Sequence, residues 1–125
     1  MSQAPNDRKY SAEHQWALPE ADGSITVGIT DYAQETLGDL VFVQLPEIGS
    51  NVAANQQVAV VESVKTASDV FAPVSGKIIA INEAAIDAPE TINEDAYAAW
   101  LFKIEPSNPT EYGDLMDADS YLAAN

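Results

Sequence analysis

The chain has no cysteine and a single histidine, His14, so Cys and His cannot supply a thiol nucleophile or a zinc site. HExxH, GxSxG and a phosphate-cradling glycine loop are also missing, which leaves catalysis without its usual equipment. Basic residues are few: five Lys and Arg stand against 20 Asp and Glu, a formal net charge of −15. Nucleic acid and anionic membrane surfaces require clustered cations and are excluded on that ground. The acidic clusters at Asp114–Asp119 and Asp87–Asp95 lack the D-x-D-x-D-G order of a calcium loop. They read as solvated surface, so no metal is expected. Long apolar runs are absent as well: none approaches the ~20 residues of a membrane-spanning helix, and the opening MSQAPNDRKY has no apolar signal core. Together with the missing cysteines this points to a reducing interior, the cytoplasm or, for a processed chain, an organelle matrix.

What is present is apolar pattern: 46% of the 125 residues are hydrophobic, enough for one core and one domain. Residues 1–8 are polar and expected as a flexible tail, with a single domain over 9–125. Tyr10, Trp16 and Leu18 fall in even register, which predicts one strand across Lys9–Leu18. Ser24–Thr30 alternates, with Ile25, Val27 and Ile29 on one face. Asp31 and Gln34 have capping-box spacing and Gly38 suits a C-cap, so a short helix follows. Asp39–Leu45 is apolar on both faces, as a central strand covered on two sides would be. Residues 82–98 show no period and read as a long acidic loop. Trp100, Phe102 and Ile104 mark another strand, and Leu115, Ala118 and Leu122 the apolar face of a terminal helix. Gly49 and Gly76 each lead into an apolar strand, a weak symmetry about the segment between them. The expectation is an all-β barrel or sandwich with a short internal helix and a C-terminal helix.

The segment VAVVESVKTASDVFA, Val58 to Ala72, sets Lys65 in a tight polar turn between two apolar strands, Val58–Glu62 and Ser68–Ala72. A turn between paired strands fixes the backbone while leaving the amine reachable by another enzyme. An ordinary lysine, with a pKa of about 10.4, would be acylated through its small neutral fraction and would lose its charge. The plain alternative is a solubilising turn lysine, with Glu62 a strand-end charge, Ser68 and Asp69 turn residues, and His14 a structural or surface side chain.

VESVKTASDVFAPVSG resembles the lipoyl-attachment segment of the glycine cleavage system H proteins. Further similar stretches follow the same order: KYSAEHQW, GITDYAQETLGDLVFVQLPEIG, NEDAY with WLFKIEPSNP, and LMDADSYL. The resemblance spans Lys9 to Leu122. It implies a barrel-sandwich hybrid of the lipoyl/biotinyl hammerhead type and a carrier with no catalytic residues. It implies lipoate attached to Lys65 by a lipoylating enzyme. It also implies an aminomethyl shuttle that serves a pyridoxal-phosphate-dependent glycine decarboxylase and a tetrahydrofolate-dependent aminomethyltransferase, with reoxidation by dihydrolipoamide dehydrogenase. Glu62 and Gly76 match positions recognised during lipoylation, and Asp69, Ile29 and His14 match residues of or beside the cleft that receives the arm. Gln15 stands where many members have an acid, leaving Glu13 to compensate, and Asp95–Trp100 lacks the usual proline and glycines. The alternatives are a lipoate relay and a biotinyl-type carrier. Biotin carriers flank their lysine with methionines, whereas Val64 and Thr66 occur here.

Overall fold

The computed structural model describes residues 4–108 and 110–124 and contains two antiparallel sheets trimmed by short helices. The chain opens with a hairpin of β1 (Lys9–Tyr10) and β2 (Gln15–Pro19), in which Tyr10 lies opposite Trp16. The single strand expected over Lys9–Leu18 is therefore two strands. Even register survives because a reversal that pairs Tyr10 with Trp16 puts both on one face, just as a straight strand would. The turn closes through Ser11 N–H donating to Gln15 O (2.9 Å) and His14 N–H to Ser11 O (3.1 Å), with His14 at φ 70°.

β3 (Ile25–Ile29) is buried at all five positions. Ile25, Val27 and Ile29 enter the main core, and the opposite face lies under Trp16: a Cβ on Gly28 would stand 2.5 Å from the indole. α1 (Asp31–Leu37) follows, capped by Thr30, one residue earlier than the Asp31–Gln34 spacing predicts; Thr30 Oγ1 accepts from Ala33 N–H at 3.2 Å. Gly38 ends the helix at φ 86°, a conformation that favours glycine.

β4 (Leu40–Gln44), β6 (Gln57–Ser63) and β7 (Ala67–Phe71) make the three-stranded sheet. β4 is its edge, not a strand covered on two sides. Its register slips between Leu40 and Phe42, and Val41 and Phe42 are 56% and 47% exposed. β5 (Asn51–Val52), β8 (Gly76–Ile81) and β9 (Phe102–Pro106) complete the larger sheet, ordered β1-β2-β3-β9-β8-β5. The two glycine-led openings meet there, with Asn51 opposite Lys77 and Val52 opposite Gly76.

The expected loop over 82–98 instead holds α2 (Glu83–Asp87) and α3 (Glu90–Glu94), which bury Ala85 and Ile92. Five-residue helices are too short to display a period. Past α3, the Asp95 carboxylate accepts the N–H groups of Tyr97 and Ala98, a turn made without the usual proline and glycines. After α4 (Thr110–Gly113), α5 (Ala118–Ala124) closes the chain. Its buried residues are Ala118 and Tyr121, while Leu122 is 43% exposed and Leu115 precedes the helix. Tyr121 and Ala118 pack with Tyr10 and Trp16 into a second cluster, so the large sheet is covered on both faces. Residues 1–3 of the expected tail lie outside the described residues. The Pro5 carbonyl accepts from Tyr10 Oη, and the Arg8 guanidinium stacks 4.6 Å from the Trp16 ring centroid.

Candidate functional site

β6 and β7 pair as expected around the lysine, with Glu62 opposite Ala67 and Val61 opposite Ser68. Ser63 organises the turn between them. Its N–H and hydroxyl both donate to Thr66 O (2.7 and 3.1 Å), while its Oγ accepts from Lys65 N–H (3.3 Å) and Thr66 N–H (3.1 Å). Val64 N–H donates to Asp39 O at 3.1 Å, tying the turn to the segment after α1. Val64, Lys65 and Thr66 are exposed. Among the described residues no hydrogen bond or ion pair engages the Lys65 amine. Its stem lies across Gly38, where an added Cβ would stand 3.4 Å from Lys65 Cε.

The other residues matched by resemblance fall in different places. Glu62 pairs with Phe42 and Asp69 with Val60, so strand alternation puts both acids on the outer face of the small sheet. Ser68, on the opposite face, lines a cavity of about 220 Å³ together with Glu13, His14, Tyr32, Thr36 and Leu37. Asp69 and Ile29 are not among its lining residues: Asp69 is exposed and Ile29 is core. Gln15 is buried, accepting from Ser11 Oγ (2.6 Å) and donating to Glu13 O (2.8 Å), so its amide is satisfied away from the cavity. Glu13 is the acid at the cavity. A Cβ on Gly76 would come 2.1 Å from Glu105 O, so close approach of β8 to β9 is sufficient reason for glycine there.

His14 is held firmly. Its Nδ1 is 2.7 Å from Tyr121 Oη, which is also 2.7 Å from Thr30 Oγ1, and its ring lies 4.8 Å from Tyr32. Burial lowers the His14 pKa, against an opposing pull from Glu13, and pushes the Tyr121 hydroxyl up to about 12. A neutral imidazole accepting at Nδ1 from the Tyr121 hydroxyl satisfies both groups.

Sequence reasoning did not single out Ser63 or Tyr121, and it read Gly38 only as the end of α1, not as a neighbour of Lys65. Ser63 had a local signal, a serine at a strand end two residues before the lysine, suited to bonding backbone N–H groups further on. Tyr121 had none, since its partners lie at the other end of the chain. Among the described residues no group of three or more His, Cys, Asp or Glu is placed to hold a metal, and no helix is long and apolar enough to cross a membrane. The arrangement is one reachable amine on an ordered turn beside a small cavity.

Comparison with known proteins bears on that arrangement. The family model "Glycine cleavage H-protein" matches residues 8–124. The chain is 56% identical over 124 residues to glycine cleavage system H protein 2 of Pseudomonas aeruginosa, covering 99% of this chain and 96% of that one. It is 59% identical over 121 residues to the glycine cleavage system H protein of Burkholderia cenocepacia, covering 97% and 96%. The crystal structure of a glycine cleavage system H protein from Mycobacterium marinum superposes with a TM-score of 0.88 at 48% identity, covering 97% of this chain and 98% of the other. The two-sheet architecture is thus the barrel-sandwich fold of lipoyl domains. With the match running almost from end to end, the chain belongs to the glycine cleavage H-protein family, the non-catalytic lipoyl carriers of the glycine cleavage system.

Proposed function

We propose that Lys65 is the lipoyl attachment point, carried on a single domain spanning residues 9–125. The observation that carries this reading is the contrast within the turn: every backbone N–H from Ser63 to Thr66 is bonded, whereas no partner engages the amine among the described residues. The residues fit the group, because an exposed amine on an ordered turn can enter a modifying active site without unfolding the hairpin. A lipoyl group there would supply the redox-active disulfide that a chain without cysteine lacks.

The chain's own residues then present and receive. Glu62, on the outer face of the small sheet beside Phe42, and Gly76, where β8 closes on β9 in the larger sheet, are the positions that meet the lipoylating enzyme. His14, Ser68 and Glu13 form the cavity that receives the end of the arm, with Ile29 supporting the His14 hairpin from the core. A cationic amine delivered there would meet the Glu13 carboxylate and a wall that partly excludes water. Asp69, on the outer face, meets an arm lying outside the cavity. The partners are the decarboxylase, the aminomethyltransferase and dihydrolipoamide dehydrogenase of the glycine system, in the cytoplasm.

Two measurements test this. Intact-mass analysis of protein from its native host should show a lipoyl adduct confined to Lys65; an unmodified lysine in lipoate-replete cells would refute the attachment, and biotin would make this a biotinyl carrier. The lipoylated protein should support exchange of the glycine carboxyl carbon with bicarbonate by the decarboxylase. A protein that instead only passes lipoate to other chains is a relay.

A further inference from the structure

We infer that Asn93 is a positioning residue for Lys65, acting through the Gly38–Leu40 segment; its consequence for modification rests on Lys65 being the attachment point. Asn93 lies in α3, within the stretch that showed no pattern in the sequence. Its side-chain amide is directed at the end of α1 and the start of β4. Nδ2 donates to Gly38 O (2.9 Å) and to Gln34 Oε1 (2.9 Å), and Oδ1 accepts from Leu40 N–H (2.8 Å).

The amide orientation follows from its partners: the Gly38 carbonyl can only accept and the Leu40 N–H can only donate. Both are backbone groups left over where a helix stops and an edge strand begins, and such groups need partners. Asn93 binds one residue on each side of Asp39. The Asp39 carbonyl is what Val64 N–H bonds to, and Gly38 is the surface over which the Lys65 stem runs. Ser63 closes the lysine turn from within through side-chain bonds confined to residues 63–66, and across the sheet it stands opposite Leu40, the residue whose N–H Asn93 holds. The direction comes from the start of β4, where Leu40 lies opposite Ser63 and Asp39 O accepts from Val64 N–H, and Asn93 fixes the Asp39–Leu40 peptide there. Alanine at 93 would release both ends of the segment. Aspartate would keep the bond to Leu40 but turn an oxygen toward the Gly38 carbonyl.

The test uses the full-length chain as wild type, Asn93→Ala, Asn93→Asp and the control Thr91→Ala. The control removes the bond from the hydroxyl of Thr91, a residue of the same helix, to Ala88 O just before that helix without touching residues 38–40. Two quantities are measured: hydrogen exchange of the Val64 amide, and kcat/KM for lipoylation by a lipoate-protein ligase supplied with lipoate and ATP. Both Asn93 variants should exchange Val64 faster and lose about tenfold in kcat/KM, below the roughly hundredfold that a full ångström of misplacement can cost. Thr91→Ala should match wild type in both. Should Asn93→Ala not fold, Asn93→Asp decides. Wild-type protection of Val64 in a folded Asn93 variant, or equal loss in Thr91→Ala, overturns the inference. If wild type takes no lipoyl group at Lys65, the attachment reading falls, and Val64 exchange still decides whether Asn93 orders the turn.

Discussion

Two hairpins contribute to the same cavity, one through Glu13 and His14 of its turn and the other through Ser68 of β7, and their turns are built in opposite ways. In the β1–β2 turn the strain is in the backbone and the side chain is tied down: His14 sits at φ 70°, its ring bonded to Tyr121 and packed on Tyr32. In the β6–β7 turn the backbone is tied down by Ser63 and Asp39 and the side chain stands clear. A left-handed conformation costs a residue with a Cβ roughly 1–2 kcal/mol. A hydrogen bond of about 1 kcal/mol together with ring burial offsets that cost. A cavity wall must keep its atoms in place, whereas a tether must keep only its root in place. The distribution of bonds in the two turns follows that division.

The sharpest way to break the contrast is to remove the amine. Lys65→Arg should abolish lipoyl modification by intact mass while shifting the unfolding free energy by less than about 0.5 kcal/mol, because the side chain is exposed and arginine keeps the stem that crosses Gly38. A large loss of stability in chemical denaturation would show the side chain to be structural after all.

Ser63→Ala attacks the root of the tether. It removes the hydroxyl's bonds to Thr66 O and to the N–H groups of Lys65 and Thr66, and should cost about 1–2 kcal/mol. The Lys65 and Thr66 amides should then exchange faster, with the β6–β7 pairing retained. Unaltered exchange would mean that strand pairing alone orders the turn.

The smallest effect belongs to the wall. Burial depresses the His14 pKa below its ordinary 6.5, so the unfolded chain binds the proton more readily than the folded one. The stability contributed by neutral His14 is therefore fully present above pH 6.5 and is lost as pH falls through the lower folded pKa. Asp7, Asp22 and Asp117 are depressed below 3.8 and titrate outside that window. Melting temperatures followed between about pH 8 and 5 should fall on acidification in wild type and less in His14→Asn. Equal slopes would place the pH dependence elsewhere.

Much of the lysine turn was legible because its determinants are local. Strand alternation and a short polar break are written consecutively; the structure adds the bonds Ser63 makes within the turn and the tie from Asp39 O to Val64 N–H. The β1–β2 hairpin was hidden because the Tyr10 and Trp16 parity is the same for a straight strand and for a reversed one. The helices at 83–94 were hidden by their brevity. β4 misled for another reason: Val41 and Phe42 look like core residues, yet the edge of the sheet leaves them in solvent.

The sequence by itself determined the hairpin, the lysine at its tip and the absence of cysteine, because composition and short-range periodicity suffice for these. Only the tertiary structure decided the cavity. His14 and Tyr121 stand 107 positions apart, Ser68 comes from a different sheet, and Asn93 reaches Gly38 across 55 positions. Whether such side chains meet depends on how sheets and helices pack, and no local pattern encodes that.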